Sequence, residues 1–274
     1  MSKRNSQASK TAARERLRAE RERQAKKDRA RRQVVVGVSV VAGIAVIGGI
    51  AFAWQQMNKP TRWEEAADAK LVAPANTSGK DGTTVVVGKD SAKKTLKVYE
   101  DPRCPICAQL EQTVGPTMKK DIDDGKYKVQ FIGASFLDTN IPGEGSRNAL
   151  SALGAALDVS PEAFTEYKSA LYSAKYHPEE TDDKFKDSDY LIEIADTVKE
   201  LKGNKAFQKA VHDGTYDKWA LTLSKKFNED GEKYDFQGTP TLVMDDKKVT
   251  GSDNKNAPMT VEEFNTAMAA ALKG

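Results

Sequence analysis

Apolar and polar positions divide this chain into stretches of different character. Residues 1–32 are polar and contain one large aliphatic residue, Leu17. Then comes "VVVGVSVVAGIAVIGGIAFAW", Val34 to Trp54, 21 residues without a charge. Residues 55–81 contain Pro60, Pro74, Ser78 and Gly79 among scattered charges, show little periodicity, and read as a linker. Patterning typical of a folded domain begins near residue 82. "TTVVVG" (83–88) and "TLKVYE" (95–100) predict two strands, a helix follows from Cys104 to about Lys119, and "YKVQFIG" (127–133) predicts a third strand.

The period then becomes helical. "RNALSALGAALDV" is one apolar-rich helix, and Ser160-Pro161 opens a second with Phe164, Tyr167 and Leu171 on one face. Ser188 is the expected cap of a third, with Leu191, Ile194, Ala195 and Val198 at core spacing. Phe207, Ala210 and Val211 mark a short fourth, and Tyr216, Trp219, Leu223 and Phe227 a fifth. Strands return at 239–246 and 247–251 as a hairpin over two Asp residues. Thr260 and Glu263 spell a capping box before a last helix with Phe264, Met268 and Leu272 inward. The order is β-β-α-β, a block of helices, then β-β-α, an α/β arrangement.

Charge changes the picture at the N-terminus. Residues 1–32 carry thirteen Lys and Arg against four acids, whereas the rest of the chain carries 30 basic and 36 acidic residues. At ~1.5 Å per residue, the uncharged run is about 31 Å long as a helix, enough for a hydrocarbon layer of ~30 Å. Positive charge before the run and Trp54 at its end predict a single-pass membrane anchor, with 1–33 a cytoplasmic basic tail, 34–54 the span, and the remainder outside. Beside a span the basic tail suits topology and anionic lipid better than nucleic acid. Ala51-Phe52-Ala53 resembles a signal cleavage site, but the apolar run exceeds the usual length of a signal core. Both readings export residues 55–274.

The chemistry concentrates in "YEDPRCPICAQLEQTV". Cys104 and Cys107 are the only cysteines in 274 residues. A C-x-x-C between a strand and a helix reads as a thioredoxin-type redox centre. A helix N-terminus stabilises a thiolate at Cys104, Pro105 suits the first helical position, and Cys107 falls one turn further in. Zinc would need about four ligands, and no second cysteine pair exists; His177 and His212 lie far away in sequence and read as surface residues. A purely structural disulfide closing so small a loop would constrain the unfolded chain little. No cofactor or metal is expected.

"DPRCPIC" after a strand, "GTPT" (Gly238 to Thr241) before another, and the helices between them resemble the DsbA-like branch of the thioredoxin superfamily, of the membrane-anchored bacterial type. The resemblance covers about residues 82–274. It implies a thioredoxin-like fold with a helical insertion at about 144–230. It also implies that Pro240 is a cis-proline facing the active site, with Thr239 before it, both presenting backbone to substrate. Implied partners are exported proteins bearing thiols or disulfides, and a quinone-linked membrane protein. Two departures matter. The buried acid that thioredoxin and DsbA carry six positions before the first cysteine is here Val98; Glu100 and Asp101 are nearby candidates for moving protons, or ordinary strand-end acids. The middle dipeptide is Pro105-Ile106, so the thiolate lacks a histidine neighbour, and Arg103 is the candidate positive charge. The favoured activity is an extracytoplasmic thiol-disulfide oxidoreductase working as an oxidase, with Cys104 the nucleophile and Cys107 the resolving thiol. Reduction or isomerisation is the alternative, and a non-catalytic binding module with an inert cysteine staple is the rival from another class.

Overall fold

The computed structural model describes residues 10, 12–33, 49–50, 54, 59–79, 81–236 and 238–273, in two compact units divided between Thr61 and Arg62. In the first unit, residues 12–33 are helical and exposed, as an Arg/Glu/Ala-rich segment without an apolar face should be. The expected span lies outside the described residues except for Gly49, Ile50 and Trp54. Among the described residues no helix is long and apolar enough to cross a membrane.

The second unit is built on a five-stranded sheet ordered β1-β3-β2-β4-β5. Its strands are β1 (Val85–Val87), β2 (Thr95–Glu100), β3 (Lys128–Gly133), β4 (Thr241–Met244) and β5 (Lys247–Lys248). β2 and β3 run parallel, with Val98 opposite Phe131, and the other pairs are antiparallel. β2 lies at the centre, and its Leu96, Val98 and Tyr99 are buried. Asp245 and Asp246 both adopt positive φ, 51° and 60°, in the two-residue turn joining β4 to β5, the geometry that a tight hairpin favours.

The parallel pair needs a crossover, which α2 (Pro105–Asp123) supplies. A helical block then runs from α3 (Leu137–Asn140) through α4 (Gly145–Val159), α5 (Pro161–Leu171), α6 (Ser188–Ala195) and α7 (Lys205–Asp213) to α8 (Asp217–Tyr234). α4 is its axis: twelve of its fifteen residues are buried, many of them Ala or Gly, so neighbouring helices approach closely. Gly133, at the end of β3, admits α4 to the sheet; a Cβ there would lie 2.2 Å from a Leu150 methyl. The last helix, α9 (Val261–Lys273), buries Phe264 and Met268.

Three local expectations differ from the structure. The cap of α6 is Asp187, whose carboxylate accepts from Asp189 N, one residue before the expected Ser188. Only half of the Thr260 capping box forms: Thr260 Oγ1 accepts from Glu263 N, while the Glu263 carboxylate turns to the Ser252 hydroxyl. Residues 62–79 also pack on the domain, where an extended linker was expected. They include α1 (Arg62–Asp68), which buries Trp63 and Ala66. Arg62 pairs with Asp217 through both Nε and Nη2, Arg147 lies over the Trp63 ring, and Asn76 donates to the Leu157 carbonyl at 2.8 Å. A tryptophan and an alanine on the same face, together with these polar contacts, dock a segment whose composition otherwise reads as linker.

Candidate active site

The chain reverses direction between β2 and α2, and Asp101 fixes that turn. Its carboxylate accepts from Arg103 N at 3.0 Å, Leu137 N at 3.1 Å and the Ser146 hydroxyl, while its carbonyl accepts from Cys104 N at 2.9 Å. Burial pushes the Asp101 acid up to about 7, against these donors, which pull it down. Cys104 then occupies the N-cap of α2 in an extended conformation, φ −74° and ψ 117°, with Pro105 in the first turn.

The two sulfurs differ sharply. The Cys104 thiol is lowered to about 6, first by its hydrogen bond with Cys107, then by contacts from Thr239 and the Cys107 and Ile106 backbone N–H groups, all against the cost of burial. Cys107 is fully enclosed, and burial raises its thiol well above the ordinary value. Both cysteines are unbridged. From 135 positions along the chain, the Thr239 carbonyl accepts from Cys104 Sγ at 3.4 Å. The Thr239–Pro240 peptide is cis. Thr239 Oγ1 is buried with no hydrogen-bond partner among the described residues. In front of these residues opens a groove of ≈ 580 Å³ lined by Ile106, Gln109, Gly238 to Leu242 and the 248–259 segment; the Ile106 side chain stands 48% exposed beside it.

Arg103 does not serve the thiolate as expected. Its side chain is buried and turned into the helical block, where it pairs with Asp138 at 3.0 Å and Asp183 at 3.5 Å and donates to the Ile141 and Glu180 carbonyls. Asp138 is shared with Arg147. Two carboxylates thus already match the Arg103 charge. Glu100 is also buried and pairs with Lys168 at 3.0 Å; Lys168 in turn reaches Glu111 at 2.6 Å. Burial raises the Glu100 acid above its ordinary value, while Lys168 and Ser169 draw Glu111 down. His177, expected at the surface, is half-buried: its Nε2 lies 3.0 Å from the Pro102 carbonyl and its ring stacks on Tyr172. Tyr172 and Leu137 pack with both cysteines in a small apolar cluster. Lys168, Glu111, Tyr172 and His177 carry no motif. Lys168 alone left a signal, since it interrupts the buried face formed by Phe164, Tyr167 and Leu171.

The sequence family described as thioredoxin matches residues 80–269. A curated relative, the disulfide bond formation protein D of Bacillus subtilis, is 24% identical over 180 residues, covering 65% of this chain and 75% of its own. Among solved structures, oxidised BdbD from Bacillus subtilis superposes with a TM-score of 0.54 at 22% identity, over 75% of this chain and 100% of that one. The reduced disulfide bond oxidoreductase DsbG of Mycobacterium tuberculosis gives 0.52 at 25% identity, over 69% and 94%. Oxidised DsbA from the same organism gives 0.51 at 24%, over 69% and 99%.

Proposed function

The chain belongs to the thioredoxin family and is a DsbA-like thiol-disulfide oxidoreductase, and from that premise we propose that it oxidises exported proteins through Cys104 and Cys107. The observation that carries this reading is the division of labour between the sulfurs. Cys104, at a helix N-terminus, ionises near pH 6, whereas Cys107 is enclosed and stays protonated. A low thiol pKa makes a good leaving group and favours the dithiol form, so the disulfide form is a ready oxidant.

In the oxidising direction a substrate thiolate attacks Cys104 Sγ of the enzyme disulfide. The Cys104–Cys107 bond breaks, a mixed disulfide forms, and Cys107 leaves. A second substrate thiolate then attacks the substrate sulfur, and Cys104 departs as a thiolate held by the N–H groups of α2. Thr239 and Pro240 offer backbone to an extended substrate segment in the adjoining groove, and Ile106 offers apolar contact. Residues 34–54 anchor the enzyme with its N-terminus in the cytoplasm, and a quinone-linked membrane protein restores the disulfide. The uncharged run and the basic tail support this placement.

The test combines trapping with a potential. Cys107→Ala should accumulate mixed disulfides on non-reducing gels after rapid thiol blocking, and Cys104→Ala should form none. Equilibration against glutathione should place the couple nearer to roughly −120 mV than to roughly −270 mV. A couple at the reducing end makes the enzyme a reductase. Failure of both the wild type and the trap variant to form any mixed disulfide would leave a binding module.

A further inference from the structure

The segment between α5 and α6, residues 172–187, meets the turn that carries Cys104 through three of its residues. The Glu180 carbonyl accepts from Arg103 Nη2 at 3.0 Å, and the Asp183 carboxylate lies 3.5 Å from Arg103 Nη1. Those two hold a side chain. The third, His177, places Nε2 3.0 Å from the Pro102 carbonyl and so holds the backbone. The exchange chemistry above makes no use of it.

Residues 101–104 form a reverse turn, closed by Cys104 N donating to the Asp101 carbonyl at 2.9 Å. Pro102 sets φ at the first central position, and Arg103 at the second is not among the residues with positive φ, so the turn is type I. Type I and type II differ by a flip of the central peptide, here Pro102–Arg103. Both ends of that peptide are held. Its N–H donates to Asp101 Oδ1 at 3.0 Å, and its carbonyl meets His177. Pro102 is buried, so a carbonyl left there without a donor costs free energy, and the turn that bears it is pressed to move.

A carbonyl only accepts, so the ring nitrogen that meets it carries a proton. Burial keeps the imidazole below its ordinary pKa, and near neutral pH the ring is the neutral Nε2–H tautomer. Tyr172 stacks on the imidazole with ring centres 5.9 Å apart, and Phe185 meets it edge-on at 5.9 Å. Tyr172 is tied in turn to α2, because its carbonyl accepts from Gln112 Nε2 at 2.7 Å, and it belongs to the apolar cluster of Cys104 and Cys107. One imidazole therefore joins the backbone before the first cysteine to an aromatic ring beside both.

We propose that His177 is a positioning residue of the redox centre: by donating to the Pro102 carbonyl and stacking on Tyr172, it holds Cys104 at the N-cap of α2. This rests on the roles given above to the two cysteines. As a thiolate, Cys104 relies first on the Cys107 thiol and then on further donors, the Cys107 and Ile106 backbone N–H groups among them. The backbone donors are met only from the N-cap. The dithiol form, which carries the charge, thus gains more from the clamp than the disulfide form does, and the clamp makes the couple more oxidising. The helical block acts on the sulfurs through a peptide bond and not through a charge.

The test follows alkylation of the dithiol form against pH and equilibrates the protein with glutathione at an alkaline pH, where Cys104 is ionised. His177→Phe keeps an aromatic stack and removes the donor. It should raise the Cys104 inflection by about one unit and shift the exchange equilibrium about tenfold towards the disulfide form, ~30 mV in the reducing direction. His177→Gln, whose amide can place an N–H near the position of Nε2, should recover most of the wild-type values. A donor that served folding alone would act on both redox forms alike and leave inflection and potential in place. Wild-type inflection and potential in His177→Phe would therefore overturn the proposal, as would a His177→Gln shifted as far as His177→Phe. The imidazole nitrogen shifts of the unaltered dithiol protein give a check that needs no variant. They should report a neutral ring protonated at Nε2, and a neutral ring protonated at Nδ1 also overturns the proposal. Absence of exchange with glutathione in the wild type is a different failure, that of the roles assigned to the cysteines, and the nitrogen shifts still read the clamp.

Discussion

The two sides of the cysteine pair are built differently. Behind it lie Glu100, Asp101, Arg103, Asp138 and Lys168, five charged side chains that are all buried and paired or hydrogen-bonded. In front lies an open groove whose edge nearest the sulfurs is Ile106 and the uncharged Gly238-Thr239-Pro240-Thr241. The rear wall fixes the turn that carries Cys104, and it draws its residues from both the sheet and the helical block. The front offers backbone and one exposed aliphatic side chain next to the sulfurs, and charged side chains, Lys248, Asp253, Lys255 and Glu263, only farther along the groove.

Breaking the rear wall should have the largest effect. Arg103→Met leaves the half-buried Asp183 without its cation and the buried Asp138 with Arg147 alone, and should destabilise the domain by about 3 kcal/mol in urea unfolding. A loss near zero would mean that the wall is decoration. The sulfurs themselves sharpen the comparison through pH. The Cys104 thiol has a depressed pKa in the folded dithiol form, about 6 against an ordinary 9.0. Its contribution to stability is therefore fully present above pH 9 and is lost as pH falls through 6. Denaturation of dithiol and disulfide forms across that window should show the difference growing with pH in favour of the dithiol, to about 4 kcal/mol. The raised acids Glu100 and Asp101 weaken both forms as pH climbs towards 7, so they act mainly on the common baseline. The smallest effect on stability belongs to the front. Ile106→Ser should change stability by less than about 0.5 kcal/mol, yet raise KM for reduced unfolded substrates with kcat little altered. A large loss of stability would make the front as structural as the rear.

The same division explains what could be read from the chain alone. The sulfurs were legible because everything that places them is local: the strand before, Pro105 after, and one helical turn between Cys104 and Cys107. β2, β3 and α9 follow clean periods and fall where expected. The rear wall was not legible, because its pairs join distant positions, such as Glu100 to Lys168 and Arg103 to Asp138 and Asp183. A strand-end acid and a helix lysine look solvated until the fold closes over them. Arg103 sits beside Cys104 in sequence, which suggested the wrong partner; its long side chain reaches carboxylates that no local pattern reveals. Residues 62–79 escaped for a related reason, since the site that receives Trp63 is made of residues far along the chain, Arg147 among them.

The core of the second unit, assembled from sheet, crossover helix and inserted block, contains no cross-link between its layers. A protein held together by structural disulfides needs an oxidising agent before it can mature, and a thiol-disulfide oxidoreductase built that way would wait upon its own kind of chemistry. Here the native state depends on apolar burial and ion pairs alone. A newly made copy can therefore fold where no disulfide has yet been made, and the bond between Cys104 and Cys107 is the one oxidation its chemistry still requires.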